Sequence, residues 1–378
     1  MIELMKNLNQ FRFFNVLCRL LTGAALFPVL LGMMLLGLIS LPAQALPVQG
    51  LYQEEIAVTN QSDQERRRAY REAFAQVITK VTGERRWLEH PQIVSALNSA
   101  DRYVAQVSFR SGGGPSQQAG LLDVRFDQAL IDTLLEGANI PVWDVNRASV
   151  LVWITVQDID GRRTMLGSSA EHPLLDQVRA FSDQRAVPVL IPLLDLEDRL
   201  LVNVDRAWAL DTDALRQAAD RYAADSVLAG RILVTPAGDL VGFWQLIFRN
   251  DVQVFDHINS DITSYMEAPL DRAAVTLASY FGLVASEFER EDQVVLRVDG
   301  INDLQSHSRL VQYLESLSVV REIKLNALRT DSLELDLQLL GTRQILTEFI
   351  SLGRDLQPVD FVPGQPVGEV LHYRWTRQ

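Results

Sequence analysis

The sequence predicts a mixed α+β protein in three small domains behind an N-terminal signal segment. Three observations carry that expectation. Short apolar runs of strand length alternate with stretches whose apolar residues recur at three- and four-residue steps. Cap and turn residues punctuate them at short intervals. The pattern also changes character twice, near residue 147 and at the acidic stretch "SEFERED", residues 286–292. The expected divisions are 1–45 for the signal segment, 46–146 for an α+β domain, 147–285 for a mixed-sheet α/β domain and 293–378 for a ferredoxin-like βαββαβ domain.

The first element is a targeting segment. Lys6, Arg12 and Arg19 outweigh Glu3, and an apolar run follows from Leu20 to about Ser40. Ala43-Gln44-Ala45 has the small-x-small pattern that signal peptidase reads, with Leu46-Pro47 behind it. At about 20 residues the run also has the length of an uncleaved inner-membrane anchor. Both alternatives export everything after Leu46, so the chain is expected to be periplasmic, or tethered to the inner membrane and facing the periplasm. Membrane contact is then confined to the N-terminal segment if it is uncleaved. The single cysteine, Cys18, lies in that segment. The exported part therefore has no thiol and no disulfide, and its stability must come from buried apolar surface.

Leu51–Thr59 alternates loosely as a strand. Ser62-Asp63-Gln64-Glu65 reads as a capping box for a helix carrying Ala69, Tyr70, Ala73, Phe74, Val77 and Ile78, closed by Gly83. A shorter helix begins near Pro91. Tyr103–Phe109 and Leu121–Phe126 read as hairpin partners around Gly112-Gly113-Gly114-Pro115, and Asp127 caps a helix with Ile131, Leu134 and Leu135.

In the second domain "VLVWITV", Val150–Val156, is apolar throughout, as expected of a strand covered on both faces. A helix from His172-Pro173 to Arg185, a strand over Val187–Ile191 and a helix capped at Asp211–Asp213 follow. Strands over Ser226–Val234, Leu240–Arg249 and Val252–Asp261 and a helix from Pro269 to Phe281 complete the unit. Two βαβ steps followed by a meander imply a mixed sheet with helices on it. In the third domain Leu333, Leu335, Leu337 and Leu339 alternate with Glu334, Asp336 and Gln338, a half-buried strand within a βαββαβ order.

Charge narrows the partners. The chain holds 35 basic and 48 acidic side chains. The first 45 residues contain three of the former and one of the latter, so 32 against 47 remain, a net of −15. Such a body repels nucleic acid and anionic surfaces at long range.

The stretches "ERRRAYREAFAQVITKVTGERRWLEHPQI", "ASVLVWITV", "QRAVPVLIPLLDLED" and "ADRYAADSVLAGRI" are similar, in this order, to the domain-of-unknown-function 2066 family of exported proteobacterial proteins. The resemblance covers roughly residues 51–282 and implies no established activity. The middle domain also resembles, by fold pattern alone, the N-terminal α/β domain of the Tol-system propeller protein.

Residues for chemistry are sparse. The five histidines, His90, His172, His257, His307 and His372, show no metal-ligand spacing and read as surface or capping residues. The exported part has no GxSxG, no SxxK and no cysteine. No metal, cofactor or catalytic residue is expected. Asp195, Glu197 and Asp198 follow the apolar "VPVLIPLL" where open sheets place ligands, and they read either as an acidic solvent loop or as a ligand site. Trp143 and Trp208 fall in predicted loops and are the aromatic candidates for a partner surface, whereas Trp153 and Trp244 lie in strands and read as core. The reading that follows is a non-catalytic accessory or assembly factor that binds envelope proteins. The alternative is a cell-wall or polysaccharide-directed hydrolase or binding protein using the Asp195–Asp198 loop.

Overall fold

The computed structural model describes residues 50–111, 120–284, 292–329, 331–353, 355–359 and 370–376. The targeting segment, the Gly112–Gly114 loop and nearly all of the acidic stretch lie outside them. The described residues belong to one compact unit, Leu46–Gln378, with three sheets and, among those residues, ten α-helices. The fold is mixed α+β, as the periodicities predict.

The N-terminal sheet has β1 (Gln53–Val58), β2 (Val104–Ser111) and β3 (Gly120–Phe126) in the order β1-β3-β2, antiparallel throughout. Helix α1 (Asp63–Thr82) lays Ala69, Ala73, Phe74, Val77 and Ile78 on it, all buried. Its cap is half of the expected box. The Glu65 amide donates to Ser62 Oγ (3.3 Å), but the Glu65 carboxylate accepts from the Thr59 amide (3.0 Å), because the Ser62 amide already donates to Asn60 Oδ1 (2.9 Å). Gly83 ends α1 with φ 75°. A Cβ there would lie 2.3 Å from that of Ala278 and 2.7 Å from the Trp143 ring, so only glycine permits this approach. Two short helices, α2 (Pro91–Leu97) and α3 (Gln128–Gly137), complete this part, and the Asp127 side chain caps α3 through the Leu130 amide (3.1 Å).

The middle sheet contains β4 (Val150–Gln157), β5 (Arg163–Leu166), β6 (Val189–Leu190), β7 (Ser226–Val234), β8 (Leu240–Phe248) and β9 (Asp251–Asn259). Its order is β5-β4-β7-β8-β9, with β6 also beside β4. β4 runs parallel to β6 and β7, and the other pairs are antiparallel. This is the mixed sheet expected from two βαβ steps and a meander. Helices α4 (Pro173–Arg185) and α8 (Glu267–Phe281) pack on one face, against Val152, Ile154, Leu228 and Leu246. Between α4 and β7 lie α5 (Leu196–Leu201), α6 (Val204–Ala209) and α7 (Thr212–Tyr222). α7 covers Leu151, Trp153 and Val227 on the opposite face. Thus Trp153 and Trp244 are core, while β5 and α6 are additions too short to impose a period. The strand expected over 187–191 keeps only two residues.

The C-terminal sheet has β10 (Gln293–Asp299), β11 (Val320–Leu328), β12 (Ser332–Leu339), β13 (Leu356–Pro358) and β14 (Val370–Trp375) in the order β11-β12-β10-β14-β13. Helices α9 (Leu304–Ser316) and α10 (Arg343–Gly353) share one core with Leu333, Leu335, Leu337 and Leu339. The βαββα order is as expected, with one more strand. The short β13 takes the outer edge, and β14 occupies the place beside β10 and runs parallel to it.

The segment 141–148, expected as a boundary, is buried where the three sheets' layers meet. The Trp143 amide donates to Val81 O (2.8 Å), and Val142 bridges to Leu283. The Arg147 guanidinium, buried, donates to the carbonyls of Lys80 (2.5 Å), Arg185 (2.9 Å) and Trp143 (3.1 Å). Arg185 reaches Gly83 O (2.8 Å) and pairs with Asp271 (2.5 Å). Asp144 accepts from the Ser318 amide of the C-terminal unit (2.7 Å). A polar cluster this closed is stabilising only because each charge has hydrogen-bond partners.

Candidate functional site

The chain leaves β6 through Pro192 and turns at Leu194, whose φ of 55° is left-handed. Asp195 then caps α5, accepting from the Asp198 amide (3.0 Å). Every carboxylate of the stretch is drawn to one guanidinium from the end of α7. Arg221 meets Asp195 Oδ2 (2.5 Å), Glu197 Oε2 (3.0 Å) and Asp198 Oδ1. Asp198 Oδ2 accepts from the Tyr222 hydroxyl (2.6 Å) and the Leu194 amide (2.7 Å), and the Tyr222 oxygen accepts from the Leu193 amide (2.7 Å).

Electrostatics follow from this geometry. The Asp195 carboxyl is held below the usual range by the Asp198 amide first and Arg221 second. The Arg221 guanidinium is pushed up, chiefly by its hydrogen bond to Asp195. The Tyr222 hydroxyl is pushed up to about 12, by burial and then by Asp198. A hydrolytic pair needs one carboxyl kept protonated near neutral pH. Here a cation favours the ionised form of Asp195, and the Asp198 carboxylate is sealed from solvent with three polar partners. The group is a fastening and not an acid–base pair.

What it fastens is a short helix turned inside out. Asp198 points inward with 0% exposure, while Leu193, Leu196 and Leu200 are 58%, 75% and 73% exposed. Leu196 and Leu200, four apart on α5, lie on one side of the helix, and Leu193 precedes its cap. Leu194 and Leu201 pack against the α7 side of the sheet. Two expectations are corrected here. Asp198 is no exposed loop carboxylate, because the Arg221 and Tyr222 side chains converge on it. Trp143 is no partner surface, because it is 1% exposed, with Arg147 stacked at 4.3 Å and Gly83 against its edge.

Trp208 lies on α6 and not in a loop, and it is half-buried. Arg163 stacks on its ring at 4.4 Å, and Arg231, at 5.9 Å, donates to its carbonyl (3.2 Å). It stands apart from the Arg221 cluster, with its face already occupied. A concavity of about 1220 Å³ opens beside β1 and α1 and is lined by Gln53, Glu54, Lys80, Gln128 and Asp183 among others. Within it Lys80 pairs with Glu54 at 2.6 Å, and the Tyr52 hydroxyl donates to Asp132 at 2.7 Å. Among the described residues no three histidine, cysteine or acidic side chains are placed to hold a metal. His172 caps α4 through the Leu174 amide (3.2 Å), and His372 pairs with Asp299 (2.8 Å).

Sequence reasoning missed the leucines. In "LLDLEDRLL" the carboxylates alone draw attention, as an acidic loop or a ligand site. The available signal was Asp198, which lies four and three residues from the partly buried Leu194 and Leu201, and the Arg221-Tyr222 pair able to receive it.

Residues 45–144 match the family model of a domain of unknown function, DUF8605. None of the curated proteins compared matches the chain. Among solved structures, the chain is similar to the LpoB C-terminal domain from Salmonella enterica, at 12% identity, a TM-score of 0.21, and coverage of 35% of this chain and 95% of that one.

Proposed function

We propose that this is an exported envelope protein, periplasmic or tethered to the inner membrane by its N-terminal segment. In this reading it is a non-catalytic accessory or assembly factor that binds another envelope protein through Leu193, Leu196 and Leu200. The observation that carries the reading is the inverted helix: Leu196 and Leu200 held in water by a buried carboxylate–guanidinium fastening, with Leu193 exposed just ahead of its cap. Isolated exposed leucines need no explanation, but a pair on one face of an anchored helix, with a third just ahead of its cap, has the character of a binding anchor. A partner groove would receive them at helical spacing. The likeness of the four quoted motifs to the 2066 family supports the exported setting. Ionised Asp195 beside Arg221 weighs against the hydrolase alternative.

The test is a photo-crosslinking residue at position 196 in living cells, with position 304 as control, since Leu304 is equally exposed but outside the cluster. A discrete adduct from 196 that is absent from 304, and that a Leu193→Asp, Leu200→Asp background abolishes without lowering the melting temperature, is the expected result. No adduct from 193, 196 or 200 would sink the proposal.

A further inference from the structure

At the far side of the middle sheet from β6, strand β9 pairs with β8 alone among the described residues. The hairpin between them has a two-residue turn, Arg249-Asn250, with Phe248 opposite Asp251 and φ 54° at Arg249, as the primed turns require. Such a turn closes on a hydrogen-bonded pair, and bonded and non-bonded pairs alternate from there. The backbone groups of Asp251, Gln253, Phe255, His257 and Asn259 therefore face β8. Those of Val252, Val254, Asp256 and Ile258 face outward.

The same four residues carry exposed side chains, as does Asp251 at the strand's start. Val254 and Ile258 are 72% and 61% exposed, and Phe243 of β8, opposite Asp256, stands beside them. The other side of β9 is closed, with His257 against Tyr265 (5.0 Å) and Arg272 over Phe255 (5.0 Å). Proteins usually guard such an edge with lysine, proline or a bulge. β9 has no lysine or proline, and its register with β8 is unbroken over nine residues.

We propose that β9 pairs antiparallel with β9 of a second copy, about a two-fold axis at Phe255, joining the two middle sheets into one. A row of outward amides and carbonyls fits an extended strand and not a helix, and the choice of occupant follows from the residues in register. With Phe255 facing its mate, Val252 meets Ile258, and Val254 meets Asp256. All four outward residues then find bonded partners. On the other face Gln253 meets His257 and Asp251 meets Asn259. No like charges stand opposite in this register, whereas an axis at Asp256 would set Asp256 against Asp256, which is unfavourable, and an axis at Val254 would leave Ile258 opposite the turn residue Asn250, outside the strand. The edge is thus complementary to itself, as a two-fold interface requires. This surface is separate from the leucines of α5, and the proposal does not depend on their role.

The test is sedimentation equilibrium of the full chain, purified in mild detergent, across the micromolar range. A dimer is expected. Val254→Asp places an aspartate opposite Asp256 twice, and it should weaken the dimer about 2- to 30-fold. Val254→Lys should tighten it over a similar range, because each lysine then meets Asp256 of the other copy. Since a disturbed fold cannot produce opposite responses at one position, this pair separates edge pairing from general damage. In a Cys18→Ser background, copies carrying Val254→Cys should form disulfides with copies carrying Asp256→Cys, whose Cα atoms would stand about 5.5 Å apart. A monomer at every concentration, or a dimer indifferent to both charges, overturns the proposal.

Discussion

Asp198 and Asp144 are both buried carboxylates, and their partners give them opposite characters. Asp198 lies against Arg221, the Tyr222 hydroxyl and the Leu194 amide, so an amide in its place leaves at least one donor facing another. Asp198→Asn is expected to cost at least about 1–3 kcal/mol, the usual loss when a buried partner is left unsatisfied. Asp195→Asn keeps a capping oxygen, and with Glu197→Gln it should leave the midpoint of urea unfolding nearly unchanged. Urea midpoints of the single and double variants check the contrast. Asp144 has no carboxylate-directed cation in contact, and burial pushes its carboxyl up to about 6. The folded state therefore binds the proton more tightly than the unfolded one, whose carboxyl titrates near 4. Between those values this group's contribution to stability falls as pH rises, by about 3 kcal/mol in all. In Asp144→Asn that fall should be missing, while the opposite dependence from carboxyls held low, such as Asp195 and Asp211, remains. Stability measured from pH 4 to pH 6 in both proteins provides the comparison.

Helix ends show how local signals and packing divide the work. Ser62, Asp127, Asp211 and Asp303 each accept from an amide three residues on, a bond available to the chain before any tertiary contact forms. Gly83 differs. Its left-handed φ is a local requirement, but Ala278 and Trp143 press on it from α8 and from the buried segment 141–148. Gly83→Ala should therefore cost about 1–2 kcal/mol for the backbone and about 1–3 kcal/mol more for overpacking. The variant's thermal midpoint should fall well beyond that of Gly161→Ala, where the φ is positive and no atom is near.

For the whole molecule we propose three units, 46–146, 147–285 and 293–378, around the polar segment 141–148. The third closes its own five-stranded sheet with two helices, and as a fragment it should melt cooperatively. In isolation it loses Phe281 against Phe349 and the Tyr280 hydroxyl on Glu348 (3.0 Å), so its midpoint should lie below that of the intact chain. A broad, non-cooperative melt would remove this division. Export is tested separately: intact mass of protein recovered from the periplasm should begin at Leu46, whereas a full-length mass in the inner-membrane fraction would favour the tether.

What the sequence by itself determined are the features that a residue settles with near neighbours. The period of α1, the caps, the alternation of Leu333–Leu339 and the apolar run of β4 were all legible, because hydrogen bonds and faces repeat over a few residues. The class of fold followed from their order. The candidate site was half legible: Asp195, Glu197 and Asp198 were found, but their role was not. Only the tertiary structure decided that Asp198 turns inward and Leu196 outward, since Arg221 and Tyr222 approach from 23 and 24 residues away. Likewise Trp143 is buried by Gly83 and Arg147 together, β14 takes the place beside β10 because β13 precedes it at the edge, and β9 is an edge because the meander ends there. Direction and exposure at these positions depend on which distant segments arrive, and short-range periodicity carries no information about that.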